Sequence, residues 1–127
     1  MTFTGIHHIV LRVHDLEAST THWQKKLGIH VTRFGENSEL GVKQAFFELR
    51  DGGFIELVAP LSSDSDIAKL LEVKGEGVQL ISMTVGDPAL AASELTRRGA
   101  TIIGQEDGPF FVHPKSASGV MLGLAEG

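Results

Sequence analysis

His8-Ile9-Val10-Leu11-Arg12-Val13-His14-Asp15-Leu16 decides the fold, because a worn copy of it returns as Leu80-Ile81-Ser82-Met83-Thr84-Val85-Gly86-Asp87-Pro88. Both stretches alternate apolar and polar residues as a half-buried strand does. Both then reach an aspartate whose short acceptor side chain can satisfy the free N–H groups of a helix's first turn. One offset carries His8 onto Leu80 and Asp15 onto Asp87, so the chain reads as a duplicated strand, cap and helix. The copies differ where chemistry would sit, since the histidine of the first strand is replaced by Leu80 in the second.

Outward from that stretch, residues 6–13 form strand one, with Ile9, Leu11 and Val13 on one face and His8, Val10 and Arg12 on the other. His7 then turns to the face opposite His8. Asp15 caps a helix carrying Leu16, Trp23 and Leu27, and Gly28 supplies its left-handed end. Residues 29–34 read as strand two and 35–40 as a polar turn or loop. Residues 42–49 read as strand three, with Val42, Gln44, Phe46 and Glu48 on one face. Asp51-Gly52-Gly53 turns a hairpin into strand four, where Glu56 faces away from Ile55 and Leu57, and Pro60 ends the strand. A Ser/Asp cluster next caps a short helix through Ile67, Leu70 and Leu71, closed by Gly75-Glu76-Gly77. In the second copy Asp87-Pro88 starts a helix, and residues 100–104, 110–113 and 120–124 repeat strands two to four.

Strands that follow each helix through short turns indicate an antiparallel meander, hence an α+β fold. The expectation is two tandem βαβββ modules, residues 5–60 and 78–127, joined by a connecting helix in 61–77, within a single domain 1–127. The modules form a cupped, mostly antiparallel sheet around a cleft. His8, Val10, Arg12, Gln44, Phe46, Glu56 and Val58 line it from copy one; Leu80, Ser82, Thr84, Met121 and Gly123 line it from copy two.

The chain has 127 residues, enough to bury a genuine core, with 42% hydrophobic and 21% charged residues. No run approaches the roughly 18 apolar residues of a membrane span, and no signal-peptide architecture precedes strand one, so the expected location is cytoplasmic. The absence of cysteine removes disulfides, thiolate nucleophiles and thiolate metal sites. A net charge of -5 with scattered basic residues excludes a nucleic-acid surface and leaves a small-molecule partner.

In order and spacing, several elements together resemble one family. They are His8-Ile9-Val10 with Asp15-Leu16-Glu17-Ala18, Leu27-Gly28, Gly41-Val42, Ile55-Glu56-Leu57 before Pro60, Gly75-Glu76-Gly77-Val78, and His113-Pro114-Lys115 before Gly119-Val120. The chain is similar to the vicinal oxygen chelate superfamily, which includes glyoxalases, bleomycin-resistance proteins and extradiol dioxygenases. Within it the methylmalonyl-CoA epimerase branch is the nearest resemblance. That resemblance implies a homodimer. It also implies a divalent metal ion held by a histidine and a carboxylate or amide from each copy, with carboxylates moving a proton. His8 and Glu56 stand at two ligand positions, whereas Leu80 and Gly123 occupy the others, and Gln44 stands where a glutamate base is usual. The remaining donors of a roughly six-coordinate shell would have to come from water or a partner.

The residues and the resemblance together imply an isomerase or lyase acting on an enolisable carbonyl compound such as an acyl-CoA thioester. His8 and Glu56 are the acid/base pair, with Gln44 orienting a carbonyl or a water, and dependence on metal is weak or absent. Arg12, Phe46, Leu80, Ser82, His113, Lys115, Met121 and Gly123 are the candidate substrate-binding residues. Other readings stand beside these. Arg12 can be a paired strand residue and His113-Pro114-Lys115 the start of a turn. His8 and Glu56 can be a structural pair inherited from a metal-binding ancestor, and His14, His22 and His30 surface residues. For the whole chain the alternatives are a non-catalytic binding protein of the bleomycin-resistance type, or a metal-dependent epimerase or glyoxalase-like enzyme completed by a partner chain.

Overall fold

A computed structural model describes residues 2–127. In chain order the elements are β1 (Phe3–Arg12), α1 (Leu16–Leu27), β2 (Arg33–Asn37), β3 (Val42–Glu48), β4 (Phe54–Pro60) and α2 (Asp66–Lys74). They continue as β5 (Gly77–Val85), α3 (Pro88–Arg97), β6 (Ile102–Gly104), β7 (Phe110–Val112), a short 3-10 turn (Pro114–Ser116) and β8 (Leu122–Glu126). The strands hydrogen-bond in the order β2-β3-β4-β1-β5-β8-β7-β6. The α+β class and the repeated strand-helix-strand-strand-strand order are those expected. Two compact units divide the chain, one comprising Val10–Val78 and the other the segment up to Ile9 with Gln79–Gly127.

The duplicated aspartates do the same work. Asp15 sits at φ -130°, ψ 111° and accepts from the Ala18 N–H; Asp87 sits at φ -131°, ψ 114° and accepts from the Ala89 and Leu90 N–H groups. In each case extended backbone at the cap turns the carboxylate back onto the first turn, and the negative charge also suits the positive end of the helix dipole. Asp87→Ala is expected to cost about 1 kcal/mol of stability, read as a lower urea midpoint with an unchanged slope. An unmoved midpoint would show that the cap contributes nothing.

In the Val10–Val78 unit, α1 covers one face of β3 and β4. Val13, Leu16, Ala45, Phe47, Leu57 and Ala59 form its buried core, with Trp23, Ile29, Val31 and Ile55 packed around them. Leu27, expected on the buried face, is instead 59% exposed, because the helix ends there at Gly28 with φ 69°. The second strand also differs from expectation: it starts at Arg33, four residues late, and runs on through Gly35 to Asn37. Ile29 and Val31 pack against the core from a loop whose backbone is held by side chains, with the Val31 N–H donating to Gln24 Oε1 at 3.1 Å. Their alternation therefore records core contact and not strand pairing.

In the other unit α3 covers a core of Val85, Ala91, Ala92, Val112 and Leu124. β6–β7 and β7–β8 are antiparallel, but β8 lies parallel to β5, with Ser82 opposite Gly123. The meander after α3 runs inward, so its last strand returns beside the strand that opened the repeat. This makes the sheet mixed, and loop lengths alone do not reveal it, since a short meander can grow in either direction from the helix.

Candidate active site

On the face of the Val10–Val78 unit away from its α1-covered core, register sets the side chains in rows. Arg33 lies opposite Phe46 and Phe46 opposite Glu56; Gly35 lies opposite Gln44 and Gln44 opposite Val58. This is the parity expected for Gln44, Phe46 and Glu56. Gln44 Nε2–H donates to Glu56 Oε2 at 3.0 Å, a diagonal contact between adjacent strands. Gly35 leaves room for it, since a Cβ there would stand 3.1 Å from Gln44 Oε1. Glu56 is partly buried, and burial raises its pKa above the ordinary carboxylate value, while the Gln44 hydrogen bond and the positive charge of Arg33 pull it back down. The Phe46 ring tilts against Phe54 at 5.9 Å and carries the Arg33 guanidinium 3.7 Å above its centroid. A carboxylate with raised basicity, oriented by an amide and set among aromatic rings, can accept a proton from a weakly acidic carbon.

Arg33 is the residue that sequence reasoning missed. Arg33 lies inside the expected strand two, but it is the observed span, Arg33–Asn37, that sets it opposite Phe46. Its alternation with Gly35, whose missing side chain leaves space before Gln44, was the available signal.

His8 lies in the other unit. Its Nδ1 is 2.8 Å from His7 Nδ1, and the two rings meet edge-on with centroids 5.1 Å apart. Strand alternation separates these neighbours, but their imidazoles swing toward one another. Burial, followed by the charge of His7, lowers the pKa of His8 to about 4, so at neutral pH its imidazole is uncharged. In the same unit, a Cβ on Gly123 would stand 3.4 Å from Ser82 Oγ and 3.7 Å from Leu80 Cδ1. Leu80, Ser82 and Gly123 of the second copy thus lie together. Met121 contributes its carbonyl to the Ile81 N–H at 3.1 Å. His113 caps the 3-10 turn, its Nδ1 accepting from the Lys115 N–H at 3.0 Å, and the Lys115 side chain is exposed.

Arg12 is engaged within the fold. It is 9% exposed, and its Nε and Nη1 donate to the Gly75 and Val78 carbonyls, each at 2.8 Å. Those carbonyls belong to the segment that leaves α2 and begins β5, so the planar fork ties that crossover down. Of its two readings the geometry supports the structural one. Beside it the Glu76 carboxylate accepts the His14 N–H at 2.9 Å, and His14 and His22 share a recess with Asp15, Ser19 and Trp23.

The residues at the expected metal positions do not make a four-donor set, because Leu80 and Gly123 carry no donor atom on their side chains. Among the described residues no three His, Cys, Asp or Glu side chains are grouped as an ion would require.

Residues 7–112 match the profile of the family described as the Glyoxalase/Bleomycin resistance protein/Dioxygenase superfamily. The chain belongs to that superfamily. It is 29% identical to an ethylmalonyl-CoA/methylmalonyl-CoA epimerase of Cereibacter sphaeroides, over 95% of this chain and 96% of that one. Superfamily structures similar to it include a Streptomyces coelicolor methylmalonyl-CoA epimerase variant in complex with 2-nitronate-propionyl-CoA, with TM-score 0.82 and 31% identity over 97% and 96% of the two chains. The methylmalonyl-CoA epimerase of Mycobacterium tuberculosis gives TM-score 0.82 at 28% identity, covering 98% of this chain and 89% of that one. The superfamily fold expected from the sequence is therefore the fold observed. No helix among the described residues is long and apolar enough to cross a membrane.

Proposed function

We propose that this protein is an isomerase that exchanges the proton on the carbon α to the carbonyl of an acyl-CoA thioester. Glu56 is the proton acceptor and Gln44 orients it. The observation that carries this reading is the Gln44–Glu56 contact at 3.0 Å on a partly buried strand position walled by Phe46 and Phe54. The similarity to epimerases acting on malonyl-type thioesters along nearly the whole chain supports the substrate class. The reading includes a homodimer, as the resemblance implies, and the cytoplasmic location expected from the sequence.

In the step proposed, the α C–H bond breaks and its proton passes to a Glu56 carboxylate oxygen, while the bonding electron pair moves into the thioester carbonyl to form an enolate. The Gln44 amide holds the carboxylate through its Oε2 at 3.0 Å. Return of a proton from water to the opposite face of the enolate gives the epimer, and Glu56 releases the proton it took to solvent. The step is written with side chains of this protein and water.

Wild-type protein incubated with methylmalonyl-CoA or ethylmalonyl-CoA in deuterium oxide is expected to incorporate deuterium at the α-carbon, followed by proton NMR. Exchange at the uncatalysed rate with both thioesters would overturn the reading.

A further inference from the structure

Arg33 opens a row across three strands: Arg33 on β2, Phe46 opposite it on β3, and Glu56 opposite that on β4. Its guanidinium is exposed and stacks on the Phe46 ring at 3.7 Å. Among the described residues no carboxylate lies within ion-pair distance of it and no acceptor takes its N–H groups. The contrast with Arg12 on the same unit is instructive, because there two carbonyls engage the fork. Stacking on an aromatic face fixes the guanidinium plane while leaving its edge donors outward, which is the arrangement that grips a carboxylate through two parallel hydrogen bonds. Neighbouring strands lie roughly 4.8 Å apart. A short acyl group bearing its own carboxylate can therefore reach from the Arg33 edge toward the Glu56 carboxylate along this row.

We propose that Arg33 anchors a carboxylate carried on the substrate's α-carbon, so that the site selects acyl thioesters with that second anionic group over neutral ones. This rests on the reading of Glu56 as the group that takes the α-proton. The carboxylate leaves the α-carbon and its hydrogen between Arg33 and Glu56, and a neutral acyl chain gains nothing from the cation. A coenzyme A phosphate offers the same anionic oxygens, and the experiment separates the two sources.

Calorimetric titration of methylmalonyl-CoA and propionyl-CoA into wild type, Arg33→Gln, Arg33→Lys and Arg50→Gln tests the proposal, with wild-type deuterium exchange measured alongside. Arg50 is an exposed arginine in the turn after β3, and its substitution removes the same charge from the protein. The expected result is that Arg33→Gln weakens methylmalonyl-CoA by about 10-fold or more, with little change for propionyl-CoA. Arg33→Lys should fall between, and Arg50→Gln should match wild type. Equal weakening of both thioesters would place the guanidinium on coenzyme A phosphates and overturn the carboxylate assignment. No weakening of either, or the same loss in Arg50→Gln, would also overturn it. Selective binding intact in Arg33→Gln while wild type exchanges the α-proton would sink the anchor alone. Absence of wild-type exchange would sink the reading of the site, and the anchor with it.

Discussion

Glu56→Gln is expected to slow α-proton exchange by about 10²–10⁴-fold, the usual contribution of a positioned general base, and to leave the fold in place. The substitution is nearly isosteric, and the new amide oxygen can still accept the Gln44 N–H that Glu56 accepts at 3.0 Å. What disappears is the capacity to take a proton. Deuterium exchange retained near the wild-type rate would remove Glu56 from the mechanism.

The same variant carries a stability signature of opposite sign. Burial raises the Glu56 pKa above its ordinary 4.5, so the folded protein holds this proton more tightly than the unfolded chain. The stabilisation that proton provides is fully present below the unfolded value and is lost as pH rises through the folded one. At neutral pH the ionised, partly buried carboxylate is therefore a cost, moderated by Gln44 and Arg33. Glu56→Gln should be more stable than wild type at neutral pH, with the difference closing in acid, as urea midpoints at several pH values will show. Wild-type exchange should fall as pH drops through the raised pKa, because the base is then protonated.

Much of this is legible in the sequence. The Asp15 and Asp87 caps follow from residue type and offset, and the shared face of Gln44, Phe46 and Glu56 follows from period-two alternation. What the residues did not disclose was set by contacts between distant segments. The backbone groups that engage Arg12 come from Gly75 and Val78, and no local pattern at Arg12 names them. The parallel pairing of β5 with β8 depends on which way a meander grows. Ile29 and Val31 alternate like a strand because their loop is pressed onto the core, and this false strand hid the register that sets Arg33 over Phe46. The meeting of His7 and His8 depends on rotamers and strand twist, which alternation leaves free.

Phe47→Ala is the counterpart on the opposite face, with an expected loss of about 3–5 kcal/mol, against total stabilities of roughly 5–15 kcal/mol for domains of this kind. Phe47 is 0% exposed, and its ring tilts against Trp23 with centroids 5.6 Å apart. Its other core neighbours include Ala45, Leu57 and Ala59, all 0% exposed. Two of these are alanines with no side chain able to swing inward, and they stand on paired strands whose backbone is fixed by the ladder between β3 and β4. The void therefore cannot collapse fully, which puts the loss toward the high end of the range. Trp23, only partly buried, is the one large ring free to shift, and its fluorescence should report the change. Because Phe47 points toward α1 while Gln44 and Glu56 point away, exchange per folded molecule should survive under conditions where the variant remains folded. A loss below about 1 kcal/mol would mean that the α1-covered face repacks. Exchange lost in the folded variant would mean that the two faces of β3 and β4 are not independent.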